Sequence, residues 1–254
     1  MRNTKYTIQL GKGCGLIEET LQLLSICEEN ITMESFATFV REHNSLSKST
    51  DKRSMDIVKF VFYPRFVKRN PKVALWLKTI RGRGLMLPQF KQLLMLYCAR
   101  ENAVMYDYII EHLNTFRESN IARIPADNIQ NYIKRIVESG QAQWSESTQK
   151  RNSSYLKAVL IDFDFIDKRS DVLPYEIVDF TVLYLMHELH FAGLSDLAIW
   201  NHGDWQLFGL DKYKVQQKIL ELTIKGGYIA QSSGELMTIS WNYHSMEDFI
   251  NGTL

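Results

Sequence analysis

Residues 46–54 read LSKSTDKRS, and residues 144–152 repeat much of that pattern as WSESTQKRN. In each copy a polar turn with one apolar residue, Leu46 or Trp144, leads into a Ser-Thr pair and then a Lys-Arg pair. Serine and threonine are favoured at helix N-caps, where the hydroxyl accepts a free amide N–H of the first turn. Both stretches therefore predict a helix that begins directly after a short turn.

Amphipathic helices are predicted on both sides of each copy. The preceding helices carry apolar residues at helical spacing, namely Phe36, Phe39 and Val40 in the first and Ile129, Tyr132, Ile133 and Ile136 in the second. Helix, short turn and capped helix is the order of a helix-turn-helix, and we predict two such units at about residues 33–63 and 127–163. Pro64 is expected to end the first unit, and Asp127 with Gln130 to form a capping box that opens the second.

The Lys-Arg pairs lie near predicted helix N-termini, where the helix dipole disfavours cations. In helix-turn-helix proteins these positions of the second helix enter the major groove and meet phosphates and guanine edges. Lysines seven residues apart, such as Lys150 and Lys157, share a helix face that we expect to point away from the apolar stripe. The predicted DNA-binding residues are Ser49, Thr50, Lys52, Arg53, Lys59, Ser147, Thr148, Lys150, Arg151 and Lys157. The alternative is two ordinary helical hairpins with solvated lysines.

The net charge of +1 hides a strong separation of charge along the chain. Residues 41–100 hold 14 Lys and Arg against 3 Asp and Glu, whereas residues 170–254 hold 4 against 11. Like charges gathered in one segment repel each other, and such a basic surface most often serves an anionic partner with a phosphate backbone. Five further basic residues are expected to extend this surface: Arg65, Lys68, Arg69, Arg81 and Arg83.

The last third of the chain has a different order of elements. Helical patterns cover residues 175–191 and 211–225, and two strand patterns, Tyr228–Gln231 and Leu236–Trp241, flank a turn of about four residues. With a short helix after Ser195, this is the element order of a winged helix. We therefore predict a mainly α fold. Residues 1–169 form a helical domain with both helix-turn-helix units, and residues 170–254 form a winged-helix-like subdomain with a short β-hairpin.

Composition excludes several classes of protein. The 254 residues are 45% hydrophobic and 23% charged, which is typical of a folded chain of one or two domains. The sequence shows no apolar run near the ~20 residues of a membrane span and no secretory leader pattern. The three cysteines are scattered, which excludes a disulfide framework and cysteine-based zinc sites and suits a reducing cytoplasm. We expect a cytoplasmic protein without membrane association.

A glycine-rich motif and two clusters of potential ligands favour other functions more weakly. GKGCG at residues 11–15 follows a short strand pattern at residues 6–10, a context that can hold phosphate. It fits neither the P-loop nor the dinucleotide fingerprint, so a backbone turn is the preferred interpretation.

The two potential ligand clusters lack the spacing of known metal sites. His187 and His190 are three residues apart rather than four, so a partly buried helix face is expected. Asp162, Asp164 and Asp167 lie near a predicted helix end, where solvated carboxylates are expected rather than paired-metal chemistry. We therefore expect no metal and no cofactor.

Several short motifs together resemble one family. They are YTIQLGKG at residues 6–13, LIEET at 16–20, STQKR at 147–151, HFAGLSD at 190–196, DWQLFGL at 204–210, ISW at 239–241 and SME at 245–247. These motifs are similar to those of the BrxA family of bacteriophage exclusion (BREX) defence systems. The resemblance implies a small, mostly helical, cytoplasmic protein that binds duplex DNA through two helix-turn-helix units and serves phage defence.

The sequence as a whole predicts a non-enzymatic, monomeric protein that binds double-stranded DNA. Hydroxyls and first-turn amides would position phosphates, and lysine and arginine would supply charge. The resemblance adds other BREX proteins as expected partners. The alternative is a protein–protein adaptor, in which the acidic C-terminal segment with Trp200, Trp205 and Trp241 docks a partner.

Overall fold

The computed structural model describes residues 2–234 and 236–254, and helices dominate them, so the predicted mainly α fold is confirmed. In the first half of the chain the α-helices are α1 (Ile17–Ile26), α2 (Met33–Glu42), α3 (Asp51–Ile57), α4 (Tyr63–Phe66), α5 (Lys72–Gly82), α6 (Leu87–Glu101), α7 (Ala103–Tyr108) and α8 (Asn114–Glu118). The remaining elements are α9 (Asn128–Glu138), α10 (Glu146–Asp162), α11 (Asp179–Phe191), α12 (Asp196–Trp200), α13 (Lys212–Glu221), β1 (Tyr228–Ser233), β2 (Leu236–Trp241) and α14 (Met246–Thr253). Two π-helical turns (Val58–Phe62 and Ile109–Leu113) and two 3-10 turns (Gln9–Lys12 and Gly203–Phe208) supplement them.

The chain forms two compact units. Unit 1 takes the chain up to Lys78 together with Leu94–Tyr175, and unit 2 takes Thr79–Leu93 together with Glu176–Leu254. Each unit is thus assembled from two separate pieces of the chain. Both predicted helix pairs belong to unit 1, and the predicted hairpin belongs to unit 2.

The first helix pair consists of α2 and α3, which pack against each other. Phe36 and Val40 of α2 are buried, and so is Leu46, the predicted apolar anchor of the connecting turn. Thr50 caps α3 as predicted, because its Oγ1 accepts the backbone N–H of Arg53 at 3.3 Å. The local sequence pattern therefore specified this turn and this helix start correctly.

Pro64 does not end the helix, contrary to the prediction. The helical backbone continues from α3 through the π-helical turn Val58–Phe62 into α4. In a regular α-helix a proline ring collides with the carbonyl four residues back. Here the N–H of Tyr63 donates to the carbonyl of Val58, five residues back, so the backbone is widened just before the proline.

The second helix pair, α9 and α10, is the sequence copy of the first. The predicted apolar stripe of α9 is buried: Ile129, Tyr132, Ile133 and Ile136. The N-cap of α10 is Ser145, two residues before Ser147, the first residue of the Ser-Thr pair. Oγ of Ser145 accepts the backbone N–H of Thr148 at 3.3 Å. The Ser-Thr pair therefore lies in the first turn of α10, whereas in the first copy Thr50 is the N-cap.

The glycine-rich stretch at residues 9–15 joins the two helix pairs of unit 1. It forms a 3-10 turn, Gln9–Lys12, instead of the strand suggested by the pattern at residues 6–10, and it contacts both α10 and the π-helical turn of the first pair. A Cβ on Gly11 would lie 2.8 Å from Cε2 of Tyr155 on α10. The backbone N–H of Gly15 donates to Oδ2 of Asp162 at 2.7 Å. Protein atoms thus occupy the surroundings of these glycines, as the preferred interpretation of a backbone turn requires.

Arg65 is buried, which contradicts its predicted place on the basic surface. Its Nη2 donates to the carbonyl oxygens of Gly13 at 2.9 Å and Cys14 at 2.8 Å, and its Nη1 donates to that of Gly15 at 3.3 Å. A glycine-rich turn leaves backbone carbonyls without helix or sheet partners, and a buried guanidinium with five N–H donors satisfies several of them at once. The charge of Arg65 is therefore used inside unit 1.

Unit 2 contains the predicted helices and the predicted antiparallel hairpin. Strands β1 and β2 pair from Tyr228 with Trp241 to Ser233 with Leu236, so β1 extends two residues beyond the predicted strand. The predicted turn includes Glu235, which lies outside the described residues. Helix α11 is buried along most of its length, from Thr181 to His187, and forms the centre of this unit.

Two of the three tryptophans expected to dock a partner are core residues instead. Trp200 and Trp205 are 3% and 2% exposed. Their indole N–H groups donate to the carbonyls of Lys212 at 2.9 Å and Ile199 at 2.7 Å. A buried tryptophan with a satisfied N–H stabilises its own fold and presents no surface to a partner. Trp241 is half-buried and stacks on His190 at a centroid distance of 4.1 Å.

Candidate nucleic-acid interface

Helix α10 has a packed face and an exposed face. Asn152, Leu156 and Val159 lie on the buried side. The exposed side repeats at helical spacing and carries Ser147, Lys150, Arg151 and Ser154. Lys157 continues this side and is half-buried. The structure thus places the cations predicted for the second pair on one side of one helix.

The two hydroxyls predicted for the second pair lie at the start of α10 and take part in its cap. Oγ of Ser147 lies 3.1 Å from Oγ of Ser145, and Oγ1 of Thr148 lies 3.0 Å from the same atom. Because α10 begins at Glu146, Lys150 and Arg151 fall in its second turn rather than in its first. The two copies of the Lys-Arg pair therefore occupy different positions relative to their helix ends.

The residues predicted for the first pair are more deeply involved in the fold. Ser49, Thr50 and Lys52 are exposed. Arg53 is half-buried, and its Nη1 donates to the carbonyl of Lys12 at 2.7 Å, which ties α3 to the glycine-rich stretch. Lys59 lies within the π-helical turn and is half-buried. Of the three cations predicted here, Lys52 alone is exposed.

The other basic residues expected to extend the surface fall into different environments. Arg69 pairs with Glu101 at 3.0 Å in unit 1. In unit 2, Arg81 donates to the carbonyl of Leu85 at 3.0 Å and Arg83 to that of Asn251 at 3.3 Å. Lys68 is exposed. The basic segment at residues 41–100 is therefore divided between the two units.

Sequence reasoning missed two arginines that lie beside α10. Arg123 and Arg169 line the same concavity as Lys157 and Ser154. Arg123 precedes α9 and Arg169 follows α10, so neither belongs to the repeated sequence pattern. Sequence spacing does not connect these arginines with Lys157. The turn at residues 167–171 brings the three side chains to one concavity.

The arrangement of the aspartates near the end of α10 does not favour the metal chemistry considered in the sequence analysis. Asp162 accepts the Gly15 N–H, and Oδ1 of Asp167 accepts the backbone N–H groups of Arg169 and Asp171 at 2.8 Å each. Asp164 is exposed. Within residues 2–234 and 236–254, no group of three or more His, Cys, Asp or Glu side chains is arranged to hold a metal ion. Asp162 and Asp167 therefore act as backbone acceptors, one across the unit and one within its own turn.

His187 is fully buried in unit 2 and is surrounded by aromatic rings. Its ring stacks on that of Phe249 at 4.2 Å and meets Trp241 edge-on at 5.0 Å. Its Nδ1 lies 2.9 Å from the carbonyl of Leu183, and burial lowers the pKa of His187 to about 4. His190, one turn further, is half-buried, so the helix face is more buried at His187 than predicted.

This burial predicts that unit 2 loses stability in acid. Between pH 6.5 and about 4 the unfolded chain protonates this histidine while the folded chain keeps it neutral, so the unfolded state binds more protons. The free energy of unfolding should fall by about 3 kcal/mol across that window. Urea unfolding monitored by tryptophan fluorescence at several pH values measures this fall.

A His187→Phe variant is the matched control for this prediction, because a phenyl ring keeps the aromatic packing and cannot be protonated. Its free energy of unfolding should decline less than that of the unchanged protein over the same window. Equal declines in the two proteins would assign the acid sensitivity to other groups.

Comparisons with known proteins agree with the fold. A family model, BrxA, matches residues 4–187, which include both helix pairs; the sequence motifs at residues 190–247 lie beyond the matched range. The crystal structure of an uncharacterized protein from Magnetospirillum magneticum is similar to this chain with a TM-score of 0.59 and 14% sequence identity, over 74% of this chain and 95% of that one. At this identity the likeness shows the fold alone. No curated protein matches the chain. Among the helices of the described residues, none is both long enough and apolar enough to cross a bilayer.

Proposed function

The chain belongs to the BrxA family, which implies a role in BREX phage defence, and on that premise we propose that it is a non-enzymatic protein that binds double-stranded DNA. The observation that carries this proposal is the exposed side of α10. There Lys150 and Arg151 are exposed and Ser154 continues the same side, while Leu156 and Val159 are packed beneath. One side of the helix is thus held by the fold, and the other is free to meet an anionic surface.

The arrangement of α9 and α10 fits the way a helix-turn-helix meets DNA. The buried stripe of α9 holds α10 in place, and residues 139–145 connect the two helices and end at Ser145, the N-cap of α10. A second helix supported in this way lies in the major groove, while hydroxyls and amides near its start contact phosphates. We assign Ser147 and Thr148 to the start of this helix and Lys150, Arg151 and Lys157 to its groove-facing side.

The two helix pairs contribute unequally in this proposal. Arg53 is tied to the carbonyl of Lys12 and Lys59 is half-buried, whereas Lys150 and Arg151 are both exposed. We infer that the second pair supplies most of the contacts and that Ser49, Thr50 and Lys52 supply a smaller, phosphate-directed part from the first pair. In this proposal the sequence repeat therefore forms two similar helix pairs that contribute unequally to DNA binding.

Titration of a labelled DNA duplex, and of the corresponding single strand, across a series of salt concentrations tests the proposal. Each phosphate neutralised by a lysine or arginine contributes about −0.9 to the slope of log Kobs against log salt for duplex DNA. With the exposed cations of both pairs engaged, we expect a duplex slope of about −3 to −4 and weaker binding to the single strand. Absence of duplex binding at low salt would refute the proposed function.

A second function, docking of a protein partner, is favoured by apolar residues on the surface of unit 2. Tyr213 on α13 is 65% exposed and Ile224 just after it is 77% exposed, within the acidic segment at residues 170–254. Co-purification with other proteins of the same BREX system after nuclease treatment tests this role. A Tyr213→Ser/Ile224→Ser variant should lose such a partner, and a partner retained by the variant would exclude this surface.

A further inference from the structure

A basic concavity lies beside the exposed side of α10 in unit 1. It has a volume of about 420 Å³ and is walled by the segment before α9, the first turn of α9, the middle of α10 and the turn that follows α10. Its polar lining residues include Arg123, Gln130, Ser154, Lys157, Arg169 and Ser170. Three of these side chains are cationic and none is acidic.

The charge of this concavity is only partly neutralised by the protein. Arg123 pairs with Asp171, with Nε to Oδ1 at 2.5 Å and Nη2 to Oδ2 at 3.2 Å. Lys157 and Arg169 make no ion pair with any residue that the structure describes. Arg169 is exposed, and Lys157 is half-buried. Arg123 and, further away, Arg169 lower the pKa of Asp171, so this carboxylate offsets part of their charge. Two cations that are held in no ion pair nevertheless share one concave surface, which favours an anionic ligand.

The fold holds these cations in place through backbone hydrogen bonds. The N–H of Ile124 donates to the carbonyl of Ser170 at 3.0 Å, and the N–H of Val172 donates to that of Ala122 at 2.8 Å. Asp167 accepts two backbone N–H groups of the same turn. The segments that carry Arg123 and Arg169 are thus fixed against each other, which lowers the cost of ordering them around a ligand.

The start of α9 brings two opposing charges near the concavity, the partial positive charge of the helix N-terminus and the carboxylate of Asp127. Asp127 is the N-cap residue as predicted, but its side chain makes no capping hydrogen bond, so the expected capping box with Gln130 is absent. Ile129 and Gln130 of the first turn line the concavity, and the N-terminal end of an eleven-residue helix carries partial positive charge.

We propose that this concavity binds a phosphate group next to the DNA-facing side of α10. Ser154 and Lys157 belong both to the concavity and to that side of the helix, so a backbone phosphate of bound duplex can reach Lys157 and Arg169. The DNA source of the phosphate rests on the function proposed above, whereas the site itself does not. A free phosphorylated ligand has the same chemistry and is the other source that the experiment separates.

The test uses the full chain and a Lys157→Met/Arg169→Ala variant, in which methionine keeps the half-buried stem of Lys157. The control is Lys5→Ala/Lys168→Ala, which removes the same charge from exposed positions of unit 1; Lys168 adjoins Arg169 and neither control residue lines the concavity. Pyrophosphate binding is measured by calorimetry at low salt, and duplex binding is measured across salt. The site variant should bind pyrophosphate at least tenfold more weakly and lower the duplex salt slope by about one to two units, while the control changes neither.

Each outcome decides between the sources or rejects the site. A lower salt slope in the site variant alone assigns the phosphate to DNA, whether or not pyrophosphate binds. Loss of pyrophosphate binding with an unchanged salt slope assigns the site to a free phosphorylated ligand. Equal behaviour of site variant and control in both measurements overturns the proposal, even if the protein binds duplex DNA. If the unchanged protein does not bind duplex DNA, the proposed function is refuted. The phosphate site is then tested by pyrophosphate binding alone, and equal binding by the site variant and the control overturns it.

Discussion

Replacement of Lys150 and Arg151 together by alanine is expected to weaken duplex DNA binding by about 2–3 kcal/mol, which is roughly 30- to 150-fold. Both side chains are exposed on the side of α10 opposite its buried Leu156 and Val159, so their loss removes charge without removing core packing. Each lost phosphate contact should also lower the salt slope by about one unit. Fluorescence anisotropy with a labelled duplex at several salt concentrations measures both quantities.

A Lys214→Ala/Lys225→Ala variant is the matched control for this effect. It removes the same charge from exposed positions of unit 2, so it reports how much a change in net charge alone weakens binding. The control should stay within about twofold of the unchanged protein if α10 makes direct contacts. An equal loss in both variants would show that Lys150 and Arg151 act only through the general charge of the protein.

The first helix pair is tested separately by Lys52→Ala, since Lys52 is exposed whereas Arg53 donates to the carbonyl of Lys12. We expect a loss of about one unit of salt slope, less than for the second pair. A normal slope in this variant, together with a reduced one for Lys150 and Arg151, would leave DNA binding intact and remove the first pair from the interface.

Replacement of Arg65 by methionine is expected to lower the stability of unit 1 by about 3–5 kcal/mol. Methionine keeps much of the side-chain volume but leaves the carbonyls of Gly13, Cys14 and Gly15 without their donor inside the protein. A buried carbonyl that loses its partner costs about 1–3 kcal/mol, and three are involved here. Urea unfolding measured by circular dichroism gives the change in the free energy of unfolding.

The matched control is Arg41→Met, which replaces an exposed arginine of unit 1. The guanidinium of Arg41 pairs with Glu42 at 3.3 Å, and the two side chains are 40% and 58% exposed. Exposed pairs of this kind contribute about 0–1 kcal/mol. An Arg65→Met protein as stable as the Arg41→Met protein would show that the glycine-rich turn is held by its packing and not by this side chain.

The cap rule predicted the start of one helix and misplaced the start of its copy. Thr50 caps α3 as its sequence suggested, since a cap depends only on atoms within four residues. Both copies offer hydroxyls at the same three positions, yet α3 is capped by the last of them and α10 by the first, Ser145. Pro64 was expected to end a helix because the rule assumes an α-helical register, and the π-helical turn changes that register.

The basic residues show the limit of reasoning from composition. Arg53, Arg65 and Lys52 look alike in a charge count, yet one ties two segments, one is buried against a turn and one meets solvent. A side chain becomes available to a partner only when the rest of the fold makes no use of it, and a charge count carries no information on that.

The sequence was sufficient to establish the mainly α fold, the family, the paired helices and the C-terminal hairpin, because helical periodicity, caps and turns are encoded by residues a few positions apart. The tertiary structure decided which cations remain exposed. It also surrounds Gly11 and Gly15 with protein atoms instead of phosphate, and it brings Arg123 and Arg169 together with Lys157 beside α10. These outcomes depend on contacts between segments distant along the chain, and no local periodicity or spacing records such contacts.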